Sequence, residues 1–366
     1  MRHYLDHAST SPARPEVVEA MLPWLGAAAD PGRVHTEGHW ARAAVETARE
    51  QVAALVGARG REVVFTSGAT EAIATAVWGA AARGPHQVVT AVEHSAVREA
   101  AGRTSEVTVV ECDGVGRVSP ADVAAAVRPG ETAVVHVQWG NHEVATLQPV
   151  ADVVRACRER APDVLVHVDA AAAVGHVPVS FTAVGADLLS VSSHKFGGPQ
   201  GVGALVVRRG LRLRPLLVGG EQERGRRAGA ENVAGIVGFG AAAALGVEEA
   251  TPRRLTDAAL AAALGVEGVV AYGDTEARLP HILCLGVPGV EAEAVLLGLD
   301  QAGIAVHSGS ACSSESLEPS PVLEAMGVDA QRSLRVSVGW STTEADVEAF
   351  SRALAAVVAR LRALAG

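Results

Sequence analysis

Between about residue 60 and residue 210, short β-branched runs alternate with Ala-rich stretches of helical length. That alternation predicts an α/β domain with a largely parallel sheet, because each parallel strand needs a crossover long enough to hold a helix. The runs EVVFTS, QVVTAV, VTVVE, TAVVHVQ, VLVHVD, LLSVSS and ALVVRR predict seven strands in one sheet flanked by helices. Several of them end in polar or glycine-bearing segments: SGATE, EHS, NHE, DAAAA and HKFGG. In open parallel sheets ligands bind beyond the carboxyl ends of the strands, so these segments are expected to converge. From about residue 241 the texture changes to Ala-rich helix, the strand-like HILCLGV, a helix EAEAVLLGLDQAG, the segment IAVHSGSACSS, the strand SLRVSVG and a terminal helix. We expect a large domain over 13–245 and a smaller α+β domain made of 1–12 with 246–366.

Composition excludes several classes of function. Although 49% of the residues are apolar, much of this is Ala and Val, and no run approaches the roughly 20 apolar residues of a membrane-spanning helix. The opening MRHYLDHASTSP has no apolar core of the length that a secretory leader requires, which points to the cytoplasm and away from disulfides. Cys112, Cys157, Cys284 and Cys312 are widely spaced with no CxxC pair, so neither a structural zinc nor a dithiol centre is expected. The formal charge is −10, and the basic residues are scattered except for Arg224, Arg226 and Arg227, so broad nucleic-acid binding is not expected.

Lys195 follows LLSVSS and precedes a glycine-rich turn. A lysine desolvated at the end of a core strand is suited to Schiff-base chemistry; the alternative is a side chain that snorkels to solvent. Asp169 ends VLVHVD, where a buried carboxylate calls for a cationic partner such as a protonated pyridine nitrogen, or else serves as a cap. In SGATEA a strand gives way to a helix, so the amides of Gly68, Ala69 and Thr70, with the Thr70 hydroxyl, could hold a phosphate, unless Thr70 is an ordinary helix-start residue. His94 in VEHSAV could stack on a ring and move protons, or be one of the structural histidines among the 13 present.

Nine segments occur in the order found in cysteine desulfurases of the class V aminotransferase family: YLDHASTSP, FTSGATEA, EHSAV, WGNHEVATLQP, HVDAAAAVGHVPV, SSHKFGGPQGVGAL, GGEQERGRRAGAEN, SGSACSSESLEPS and LRVSVGWSTTEAD. The chain resembles that family over nearly its whole length. The resemblance implies pyridoxal 5'-phosphate (PLP) as cofactor, with Lys195 forming the Schiff base, Asp169 at the pyridine nitrogen and His94 stacked on the ring. It places Ala69, Thr70, Ser192 and His194 at the cofactor phosphate, and Asn141 and Arg335 at the substrate, Arg335 as a bidentate clamp for its carboxylate. Cys312 falls on the nucleophilic cysteine, and its small, polar neighbours suit a thiolate that must reach the substrate sulfur and present a persulfide elsewhere. The implied substrate is L-cysteine, the implied assembly a homodimer, and the implied partner a sulfur-acceptor protein. Two other readings stay open: a different class V reaction, such as selenocysteine lyase or an aminotransferase, and a non-catalytic sulfur carrier or scaffold.

The chain departs from the family pattern where His142 stands for the second of two asparagines and Ala172 for a glutamine, both of which approach the cofactor's phenolic oxygen. We expect His142 to supply the missing donor. Ala230 replaces a threonine that reaches the phosphate of the neighbouring protomer, which leaves Arg226 and Arg227 either to compensate across the dimer or to lie in a solvated loop. The region between Asn232 and Arg278 is also shorter than usual.

Overall fold

The computed structural model describes residues 2–308 and 319–365. Its strands are β1 (His3–Tyr4), β2 (Val63–Thr66), β3 (His86–Thr90), β4 (Glu106–Val110), β5 (Thr132–Gln138), β6 (Leu165–Asp169), β7 (Leu188–Ser192), β8 (Gly203–Val207), β9 (Val270–Tyr272), β10 (Ile282–Gly286), β11 (Ile304–Ala305), β12 (His307–Ser308) and β13 (Ser333–Ser337). All seven expected strands, β2 to β8, form one sheet in the order β2-β8-β7-β6-β5-β3-β4. It is parallel except at β8, which runs against both of its neighbours. Helices cover both faces, so β5, β6, β7 and β8 are buried along their whole length, and their sequences are near-continuous apolar runs.

Polar residues in those runs are paired inside the sheet. His136 Nε2 lies 2.9 Å from Gln87 Oε1, and His136 Nδ1 lies 2.9 Å from His167 Nδ1. The amide oxygen can only accept, so His136 carries its proton on Nε2 and accepts from His167 through Nδ1. Burial keeps both rings neutral, His167 titrating down at about 4.

A second, four-stranded antiparallel sheet has the order β12-β13-β10-β9. With the helices Ala250–Leu264, Ala292–Gln301 and Glu344–Ala365 it encloses a separate core around Leu285, Leu299, Phe350 and Leu354. Leu5 packs into this core, and β1 pairs in parallel with β11, so the N-terminal arm is tied to the second sheet. The strands that pattern reading misses, β1, β9, β11 and β12, are two or three residues long, too short to show a period. Among the described residues, no helix is long and apolar enough to cross a membrane.

The arginine cluster is spent within the chain. Arg227 pairs with Glu71, while Arg226 donates to the carbonyls of Val63 and Glu223. Arg224 reaches Glu46 and the Arg61 carbonyl. Glu223, in a left-handed conformation at φ 49°, turns a buried carboxylate onto both terminal nitrogens of Arg49.

Candidate active site

Beyond the carboxyl ends of β2, β6 and β7 lies a cavity of about 710 Å³. One end of it is the start of the helix Ala69–Ala81, whose cap residue, Gly68, offers no side chain to the first-turn amides. A Cβ on Gly203 would lie 2.7 Å from the Gly68 carbonyl carbon, so β8 begins with glycine where the Ser67–Ala69 turn rests on it. Glu71, also on the cavity, is engaged by the Ser67 amide and by Arg227. Ala69 and Thr70 therefore present an uncapped helix start to the cavity, a ready anion site. Ser192 Oγ and His194 Nδ1, 2.9 Å apart, line the same cavity. Burial, helped by the charge of Lys195, holds His194 down at about 4, so it is neutral at pH 7.

Lys195 closes a single helical turn, Ser193–Lys195, directly after β7. Its Nζ donates to the carbonyls of Ala8 at 2.7 Å and Ser9 at 3.0 Å, both on the N-terminal arm. It is also the sole lysine of the chain, the other 30 of the 31 basic residues being arginine. Guanidinium stays protonated and cannot serve as a nucleophilic amine, so this retained lysine is a sequence signal stronger than its local setting. Asp169 ends β6 with Oδ1 fixed by Ser190 Oγ at 2.8 Å and by the Ala171 amide at 3.0 Å.

His94 caps the helix Ser95–Thr104, its Nδ1 accepting from the Ala96 amide, which leaves the proton of the neutral ring on Nε2. The rings of His94 and His142 lie 5.0 Å apart, and His142 Nε2 is 3.3 Å from Glu143 Oε1. Ala172 also lines the cavity. Asn141 does not reach it. That side chain is fully buried, its Oδ1 accepting from the amides of Glu143 and Val144 and its Nδ2 donating to the Val92 carbonyl. Its amide shapes the turn, as asparagine does where local backbone groups compete for it.

Arg335, on β13, is buried at the opposite wall. Its Nη1 donates to the His142 carbonyl at 3.0 Å, and its Nη2 to Ser9 Oγ at 2.6 Å and Asp6 Oδ1 at 3.1 Å. Asp6 and Ser9 sit inside the YLDHAST segment, yet nothing local to that segment shows that they meet Arg335. Glu93 is a second residue that sequence reading passes over. It is fully buried, accepts from Thr90 Oγ1 and the Gln138 amide, and is pushed up to about 7 by burial, with the charge of Asp169 adding to the effect.

Cys312 lies outside the described residues. The described cysteines are free thiols, and burial raises all three, Cys157 to about 11. None has the electropositive, accessible setting that makes a thiolate nucleophile.

An anion cradle, a fixed carboxylate and one amine around a single cavity at the strand ends define an α/β enzyme built for a phosphorylated, ring-nitrogen cofactor. The aminotransferase class-V model matches residues 3–350. The cysteine desulfurase IscS of Dictyoglomus turgidum is 40% identical over 99% of this chain and 95% of its own length. A solved NifS-like protein superposes with a TM-score of 0.91 at 32% identity, covering 99% of this chain and all of that one. SspA, solved in complex with cysteine, gives 0.82 at 29% identity over 93% of this chain. The chain belongs to the class V aminotransferase family, in its cysteine desulfurase branch, whose members work with PLP. The residues fit that cofactor: the uncapped helix start suits its phosphate, Asp169 its ring nitrogen and Lys195 its aldehyde carbon, in a cavity of ordinary ligand size.

Proposed function

We propose that this chain removes sulfur from L-cysteine, yielding L-alanine and a persulfide on Cys312 for a sulfur-acceptor protein. The observation that carries the reading is the placing of Lys195, Asp169 and Arg335 on one cavity. Ala69, Thr70, Ser192 and His194 would hold the cofactor phosphate, His194 as a neutral ring. Asp169 would keep the ring nitrogen of bound PLP protonated, and His94 would pack against the ring. Bound PLP supplies the electron sink for the pair released at the substrate α carbon.

Arg335 binds the substrate carboxylate, its guanidinium oriented by Asp6 and Ser9. Lys195 moves the proton at the α carbon, since its amine stands on the cavity wall and is the only one the side chains provide. Cys312 Sγ then attacks the substrate sulfur: the S–S bond forms, the Cβ–S bond breaks, and the electron pair left on carbon takes up a proton as alanine is formed. His142 and Ala172 share the wall where the family pattern has Asn and Gln. His142, whose ring lies beside that of His94, takes the place of those donors toward the cofactor's phenolic oxygen.

The chain works as two units, 13–245 and 1–12 with 246–366, paired in a homodimer in the cytoplasm, where the three free thiols suit a reducing compartment. The test is release of alanine and sulfide from L-cysteine by the wild type and by Cys312→Ala, with the persulfide trapped by alkylation. We expect the variant to lose persulfide and at least about 100-fold of its alanine release. A variant that released alanine at the wild-type rate would overturn the role of Cys312.

A further inference from the structure

Behind Lys195, on the side away from the cavity, three buried histidines meet from three parts of the chain. His176 follows β6, His281 precedes β10 and His7 follows β1. The rings of His176 and His281 lie face to face, 3.4 Å between centroids and 13° from parallel. His7 hydrogen-bonds through Nδ1 to Ser11 Oγ at 2.9 Å and through Nε2 to Thr342 Oγ1 at 3.2 Å.

His176 is the member that touches the lysine. Its Nε2 lies 3.1 Å from the Lys195 carbonyl oxygen. A carbonyl can only accept, so His176 carries its proton on Nε2 and donates it there. Gly175 makes this approach possible: its φ is +84°, and a Cβ there would fall 2.5 Å from Phe196 Cβ, the residue after the lysine. The bond holds the backbone on which the Lys195 side chain is mounted, while the carbonyls of Ala8 and Ser9 hold the amine at the other end.

We propose that His176 is a positioning residue for Lys195, kept in plane by its stack on His281. The surroundings keep the donor tautomer in place. The charged or titratable groups facing His176 are His281, His7 and Arg14, with the Lys195 carbonyl accepting from its ring, and those facing His281 are His176, His7, Arg335 and Lys195. Burial, helped by His7 and the charge of Arg14, holds His176 down at about 4 against the hydrogen bond to the Lys195 carbonyl. His176 is thus a neutral N–H donor at pH 7.

This inference rests on Lys195 being the lysine that carries the cofactor, and the experiment separates the two claims. The full-length, PLP-loaded protein is titrated by visible absorbance and then reduced with borohydride. Because the chain has one lysine, covalently retained cofactor maps to one side chain. His176→Ala and His176→Phe are expected to move the midpoint of the spectral titration by about one pH unit. They should also lower kcat about tenfold while leaving KM within about twofold. His176→Gln, whose amide can donate from a similar place, should return both to the wild-type values. His176→Phe preserves ring packing without the donor, so it decides the matter should the alanine variant fold poorly. Normal trapping of Lys195 in the wild type, with both non-donor variants titrating as the wild type does, would overturn the positioning role alone. A wild type in which borohydride leaves Lys195 unmodified would overturn the reading on which it rests.

Discussion

The cavity has two walls of different construction. One is made of strand ends of the seven-stranded sheet: Asp169, Ser192 and the Gly68 turn are each mounted on a buried strand or its immediate continuation. The other is made of the N-terminal arm and β13, where Asp6, Ser9 and Arg335 are held by contacts between residues more than 300 positions apart. The strand-end wall needs only the sheet to be correct. The arm wall exists only when two distant segments meet, so it is the one open to adjustment by substrate. We assign the fixed wall to the cofactor and the assembled wall to the substrate carboxylate.

The sharpest way to break that division is Lys195→Arg. It retains the charge and the carbonyl acceptors but removes the primary amine, and we expect alanine release to fall by about 10³-fold or more, with loss of borohydride trapping. Arg335→Lys addresses the opposite wall. Losing the planar fork while keeping the charge should raise KM about tenfold or more and leave the cofactor absorbance unchanged. A spectral change as large as that of the lysine variant would show that the walls are not separable.

The smallest effect expected is on stability. His7, His167, His176 and His194 are each held at about 4 against an ordinary 6.5, so the native state binds fewer protons than the unfolded chain between those pH values. Stability therefore rises with pH through that window and is lost as pH falls from 6.5 towards 4. Glu93 opposes this: raised from 4.5 to about 7, it favours the native state on the acid side of its window and less so as pH rises through it. Glu93→Gln should steepen the rise of Tm between pH 5 and 7, by up to about 1.4 kcal/mol of stability per pH unit. Thermal melts across that range would show an unchanged slope if Glu93 does not titrate in the folded protein.

The same division separates what is legible in the sequence from what is not. β-branched runs announce all seven strands, and the polar segments at their ends point to Lys195, Asp169 and Thr70, because the strand fixes the residue that follows it. The Asp6–Arg335 pair leaves no local trace: the family resemblance reaches Arg335, but Asp6 reads as an ordinary charged residue in its own segment. Asn141 is a site residue by family resemblance, and its side-chain hydrogen bonds to the Val92 carbonyl and the Glu143 and Val144 amides come from the local turn, which the resemblance does not describe. The His136–His167–Gln87 ladder is hidden for a similar reason: its partners come from three strands.

The pairing of Asp6 and Ser9 with Arg335 has a consequence for synthesis. The arm leaves the ribosome some 330 residues before β13 does. Until then the substrate clamp has no second half, and the Lys195 amine meets the arm's carbonyls only through a loop of 187 residues. The growing chain can build the strand-end wall early, but the arm wall closes only after β13 has followed the arm out of the ribosome.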